Sequence, residues 1–123
     1  MWYHYPDKSS QVGRAGEGFQ AEDLFFPPIS TLNISKIRLT ERYPDVGYTK
    51  NTDSDMIVYV IAGDIFFQSS AGTKRNSSVH LKTGDTFLVP KGLFYYWNPD
   101  PSVYLFVVST PPWNQEQQVS VIF

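Results

Sequence analysis

Two short stretches, Asn51-Thr-Asp53-Ser-Asp55-Met56 and Tyr95-Tyr-Trp97, carry the side chains best suited to chemistry, with Arg38 upstream of both. A carboxylate and a phenol can share acid–base work when both reach a substrate. In that reading Asp53 is the general base, Tyr95 the general acid, and Arg38 assists. The same segment offers oxygens to a hard cation, from Asp53 and Asp55 with Asn51 and Tyr95 helping. The plainer alternative makes Asp53 and Asp55 solvated carboxylates of a turn. Both histidines, His4 and His80, stand outside these stretches, and cysteine is absent. The imidazoles and thiolates that transition metals prefer are therefore missing, and neither a catalytic metal nor a cofactor is expected. Disulfides and cysteine nucleophiles are excluded with them.

These side chains must be positioned by strands. Met56 to Ala62 is β-prone, Ile65 to Gln68 reads as the return arm of a hairpin turned at Gly63-Asp64, and Ile34 to Thr40 alternates in period two. Val79-His-Leu81 and Phe87-Leu-Val89 are short strands, and Val103 to Val108 is apolar enough for a central strand buried on both faces. Pro90 ends one strand by removing a backbone donor, and Gly92 permits the sharp reversal into Phe94 to Trp97. Val119 to Phe123 reads as a last edge strand, after a helical turn over Gln115 to Gln118 capped by Asn114. Residues 1–20 are polar and glycine-rich and read as an irregular arm, and Ala21 to Phe25 could form one helical turn before Pro27-Pro28. Within that arm Trp2, Tyr3 and Tyr5 are too apolar for water and should pack on this domain or a neighbour.

No stretch sustains helical periodicity, so the pattern predicts an all-β sandwich or barrel. Alternation then sorts faces: if Tyr95 points inward so does Trp97, and if Met56 is inward so are Val58 and Val60. The predicted interior is lined by Met56, Val58, Tyr95 and Trp97, with Asn51 and Asp53 at its mouth. Such aromatics with a few polar groups suit a sugar-like ligand. The competing reading has Tyr95 and Trp97 simply filling a narrow barrel. Arg38 and Lys36 share one strand face, which binds an anion if it points inward and is a solvated face otherwise.

At 123 residues the chain is one domain, and 41% hydrophobic with 16% aromatic content excludes intrinsic disorder. Net charge is −2 with charges scattered, so no basic stripe exists to track phosphates and nucleic acid is not an expected partner. No run approaches bilayer-spanning length and the start lacks a signal-peptide core, which predicts no membrane partner and a cytoplasmic location.

The stretch Gly84-Asp-Thr-Phe-Leu-Val-Pro90-Lys-Gly92-Leu-Phe-Tyr95 has glycine, five residues, proline, one residue and glycine. It resembles the second motif of the cupin family, and Met56 to Gly63 resembles the end of the first. The closing Thr110-Pro-Pro-Trp113-Asn-Gln-Glu116 resembles the tail of small single-domain cupins related to sugar-phosphate isomerase-like proteins. The resemblance implies a double-stranded β-helix, or jelly-roll. It divides residues 1–123 into an arm (1–28), a barrel core (30–118) and an edge strand (119–123). It also implies that the family's metal-binding positions fall on Lys50 and Thr52, or Thr49 and Asn51, then Met56 and Tyr95, none of which is the usual histidine or glutamate. A module binding a small polar ligand, sugar-like or a carboxylate, through Asn51, Met56, Val58, Tyr95, Trp97 and Arg38 is the expectation. A metal-independent isomerase, epimerase or lyase using Asp53 and Tyr95 is the alternative, and a metal-dependent dioxygenase is a distant third. Cupins pair through edge strands and apolar sheet faces, so a homodimer through the aromatic N-terminus and Val119, Ile122 and Phe123 is also expected.

Overall fold

The structure, a computed structural model, describes residues 2–4, 6, 11–70 and 76–122. It is built from strands: β1 (Gln11–Gly16), β2 (Phe19–Phe26), β3 (Ile29–Leu39), β4 (Tyr48–Asn51), β5 (Asp55–Ser70), β6 (Asn76–Lys82), β7 (Thr86–Val89), β8 (Phe94–Thr110) and β9 (Gln118–Val121). Every pairing is antiparallel, in the order β1-β2-β3-β8-β4-β9, with β5 bonded to β6, β7 and β8. The sheet curls into an all-β jelly-roll, as expected. No helix among the described residues is long and apolar enough to cross a membrane.

The ribbon of β5 and β8 is the spine, and it differs from the sequence reading in two ways. Ala62-Gly63-Asp64 is not a hairpin turn; β5 runs straight through, with the register against β8 shifting between Val60 and Ala62 and again between Gly63 and Ile65. Gly63 has φ +95°, and a Cβ there would stand 2.3 Å from the Ser102 carbonyl oxygen. Glycine thus lets the two backbones close at a bulge, where the ribbon changes direction. Likewise Phe94 to Trp97 and Val103 to Val108 are one strand. Its Val103, Leu105 and Val107 are buried while Tyr104, Phe106 and Val108 are half-exposed, so β8 is covered on one face only.

The N-terminal arm is also corrected. Residues 11–26 form the β1–β2 hairpin, turned at Gly18 (φ +68°), and neither a loop nor a helical turn over Ala21 to Phe25 exists. Strand pairing across β3 supplies the bonds that one helical turn could not. Trp2 and Tyr3 remain exposed beside Phe26, Pro28 and Ile29, and Tyr5 lies outside the described residues. At the other terminus Asn114 caps a 3₁₀ turn over Gln115–Gln117, and β9 closes on β4 as the predicted edge strand, Phe123 lying outside the described residues.

The inward face divides by chemistry. Leu39, Val60, Ile65, Val103 and Leu105 form a fully apolar half. Asp23, Asn33, Ser35, Asn51, Ser54, Ser109 and Gln117 are also buried, gathered at the other end around Met56, Tyr95 and Trp97.

Candidate functional site

The polar end begins with the β1–β2 hairpin. Antiparallel pairing places Arg14 diagonally across from Asp23, and both guanidinium nitrogens Nε and Nη2 donate to the carboxylate, the second at 2.9 Å. Asp23 is 2% exposed, and Ser35 Oγ donates to its Oδ1 at 2.6 Å. With both oxygens engaged, this carboxylate anchors Arg14. The planar guanidinium lies 4.0 Å from the Trp113 ring and 5.4 Å from the Phe19 ring.

Trp113 reaches the site because Pro111-Pro112 ends β8 and turns the chain back over the barrel end. Its backbone N–H donates to Asn33 Oδ1 (2.8 Å) and its indole N–H to Asn51 Oδ1 (3.1 Å). The Asn51 amide nitrogen in turn donates to the Met56 sulfur at 3.2 Å. Further along, Gln117 Oε1 accepts from the backbone of Asp53 and Ser54, and its Nε2 donates to Ser54 Oγ. Residues 111–118 thus form a strap across the polar end. Among the described residues the Asn33 amide nitrogen is a buried polar atom without a partner.

An aromatic column runs from this strap through the barrel. Phe67 stacks on Tyr95 (5.4 Å), Tyr95 meets Trp97 (5.4 Å), and Tyr43 stacks on Phe19 at the rim (4.8 Å, 20°). Tyr43 and Trp97 exchange two backbone hydrogen bonds, which fixes the rim to β8. The Tyr43 hydroxyl accepts from Gln118 Nε2 at 2.6 Å, leaving its own proton to donate. Burial pushes the Tyr43 phenol up, against the opposing pull of Gln118 and Arg14. Burial pushes Tyr95 far higher, with Tyr43 adding to the rise and hydrogen bonding to Asn51 and the charge of Arg14 opposing it. Both phenols stay protonated near neutrality, so they serve as donors or acids and not as bases.

Space is distributed unevenly. Between Met56, Tyr95, Trp97, Ser35 and Ser109 only about 30 Å³ is open, room for water but not for a sugar ring. Above it lies a cleft of about 710 Å³ bounded by the β1–β2 turn, Glu41 to Asp45, and the 3₁₀ turn with β9. Arg14, Phe19, Tyr43 and Gln118 line both spaces.

The sequence reading is met in part. Asn51, Met56, Tyr95 and Trp97 do converge, and Val58 is buried in the core below them. Tyr95 and Trp97, at 2% and 3% exposure, are packing first. Asp53 is corrected: its carboxylate is exposed and accepts from Thr52 Oγ1, on the outer side of Gln117, so it does not face Tyr95. Asp55 opens β5, paired with Thr110, and its carboxylate accepts from the Lys91 backbone N–H. Arg38 is corrected too: it is exposed and lies over Tyr104 on the outer face (4.4 Å), because Ile37 and Leu39 take the inward positions. Arg14, Phe19, Tyr43, Trp113 and Gln118 were missed.

The positions where the cupin resemblance places a metal do not fit one. Asn51 is committed to Trp113 and Met56, Tyr95 is a protonated phenol, and Thr49 Oγ1 donates to the Val119 carbonyl. Among the described residues no three histidine, cysteine, aspartate or glutamate side chains are grouped to hold an ion.

Solved structures similar in fold include Streptomyces PAC13 with uridine, at 14% identity and TM-score 0.79, covering all of this chain and 93% of that one. Another Pac13 structure, described as a unique nucleoside dehydratase, matches at 15% and 0.78 with the same coverage. Oxalate decarboxylase from Bacillus subtilis matches at 15% and 0.78, over 92% of this chain but 30% of that one. A search of curated protein sequences finds no match. The sequence profile described as Cupin matches residues 7–123, and, with the jelly-roll already traced, it places this chain in the cupin family.

Proposed function

We propose that this cupin binds a small, hydroxyl-bearing ligand of sugar-like character in the cleft at the barrel mouth, without a catalytic metal. The observation that carries the reading is the division of space. The interior behind Tyr95 and Trp97 is filled, whereas the cleft of about 710 Å³ opens directly onto Tyr43, Gln118, Arg14 and Phe19. The stacked Phe19–Tyr43 pair offers an aromatic surface to a ring, and the Tyr43 hydroxyl offers a proton to a ligand oxygen. The test is a thermal-shift and calorimetric screen of nucleosides and free sugars. A compound present at about a hundred times its Kd raises stability by about 2.7 kcal/mol. Binding should weaken about tenfold in Tyr43→Phe and in Gln118→Ala. A screen with no stabilising compound, or unchanged affinity in both variants, rejects the reading.

A second reading is a metal-independent lyase. It is favoured by likeness over the whole chain to a protein described as a nucleoside dehydratase, together with phenols held protonated. Tyr43 then replaces Tyr95 as the acid, its proton going to the departing hydroxyl as the C–O bond breaks. A rim carboxylate replaces Asp53 as the base and takes the carbon-bound proton. Solvent deuterium should enter a bound nucleoside in the wild type, and Glu41→Gln should stop it. Absence of exchange in the wild type leaves binding alone.

A further inference from the structure

We infer that the cleft selects uncharged or cationic ligands and rejects anions, so that its ligand is an unphosphorylated sugar or nucleoside; this rests on the cleft being the ligand site. Two arginines border it, and each already has two of its guanidinium nitrogens donating within the protein. Arg14 is held by the buried Asp23 carboxylate and sandwiched by Trp113 and Phe19. Arg42 donates from Nη1 to the Pro44 carbonyl (2.7 Å) and from Nη2 to the Gly47 carbonyl (2.8 Å), with its guanidinium over the Tyr96 ring at 3.8 Å. A phosphate entering this cleft would meet guanidinium groups whose forks already have acceptors.

The rest of the lining pushes the same way. Glu17, Glu41 and Asp45 are exposed on the rim, and none forms an ion pair among the described residues. Arg14 is cancelled by Asp23, so among the described residues that line the cleft three carboxylates stand against the charge of Arg42. Glu41 packs its Cβ against Gly18, where an added Cβ would fall 2.5 Å from it. The surface that stacks and hydrogen-bonds a ligand is formed by Phe19, Tyr43 and Gln118, and the carboxylates set the potential at its entrance whether or not one of them also acts as a base. The carboxylate class of ligand foreseen from the sequence is the one this entrance disfavours.

Two measurements decide the matter. Calorimetry at low ionic strength should show uridine 5′-monophosphate binding at least about tenfold more weakly than uridine. In the variant Glu17→Gln/Glu41→Gln/Asp45→Asn that gap should close to about twofold or less. A monophosphate that binds wild type as tightly as the nucleoside overturns the inference while leaving the cleft as the ligand site. Should neither compound bind, collisional quenching still reads the potential. In a Trp2→Phe background the emission comes from buried Trp97 and from Trp113, which lies against Arg14 where the small inner space meets the cleft. The caesium-to-iodide ratio of quenching constants should drop at least about twofold when the three carboxylates are neutralised, and an unchanged ratio overturns the inference.

Discussion

The two halves of the barrel interior are made from the same strands and yet are held together differently. In the apolar half, Leu39, Val60, Ile65, Val103 and Leu105 belong to the hydrophobic core cluster and are at most 4% exposed. That half is stabilised by burial alone, at roughly 25 cal/mol for each Å² removed from water. In the polar half, Asp23, Ser35, Asn51, Ser54 and Gln117 are equally buried, and each is answered by a specific hydrogen bond. Desolvation largely offsets what those bonds contribute, so the polar half adds little net stability and much directional constraint. A jelly-roll could fold with valines at these positions. Ser35 and Ser109 of this half line the small space that shares Arg14, Phe19, Tyr43 and Gln118 with the cleft, which is why the candidate site is placed there.

The largest effect should come from the apolar half. Leu105→Ala leaves a cavity in surroundings that cannot close, and should cost about 3 kcal/mol, a melting-point drop on the order of 10 °C. A loss below about 1 kcal/mol in chemical denaturation would show that the half is loosely packed. Gln117→Ala should come next, at about 2 kcal/mol. It strips the acceptor from two backbone N–H groups and the donor from Ser54 Oγ, and leaves them facing the barrel end. Its sharper signature is local: amide exchange at Asp53 and Ser54 should accelerate more than exchange at Val60 or Leu105. Uniform acceleration would mean the strap and the core unfold together.

How far the sequence alone reveals this division depends on which residues face inward. Strands whose inward positions are apolar were plain at Ile37 and Leu39 and at Met56 to Val60, which alternate as burial demands. Val103 to Val108 was found as a strand but read as buried on both faces, because Tyr104, Phe106 and Val108 are apolar too and hide the alternation. The Gly84 to Gly92 reversal and the shared face of Tyr95, Trp97 and Met56 followed from backbone chemistry. The β1–β2 hairpin was invisible because its inward residues are Ala21 and Asp23, which look like a polar loop to any hydrophobic pattern. Asp23 can be buried only because Arg14 and Ser35 meet it, and that is a property of pairing, not of either segment. The strap was read as punctuation, since Pro111-Pro112 says where a strand stops and not where Trp113 goes. Arg38 was within reach of the sequence: Ile37 and Leu39 on either side already assign it to the outer face.

Tyr95 lies where the halves meet, and its titration gives the smallest of these tests. Its phenol ionises well above the ordinary 10.0, chiefly because burial penalises the phenolate. Below about pH 9 the folded and unfolded chains both carry the proton, so this group contributes no pH dependence there. As pH rises through 10.0 the unfolded chain releases its proton while the folded chain holds it. Stability must then fall with pH, because ionisation favours the unfolded state. Tyr43 is shifted in the same direction and adds to the fall. Urea midpoints measured from about pH 8 to pH 10.5 should therefore decline less steeply in Tyr95→Phe than in wild type, by a few tenths to about 1 kcal/mol at the upper end. Equal slopes would mean that water reaches the phenol through the small cavity beside it, and that the apolar half ends below Tyr95 instead of at it.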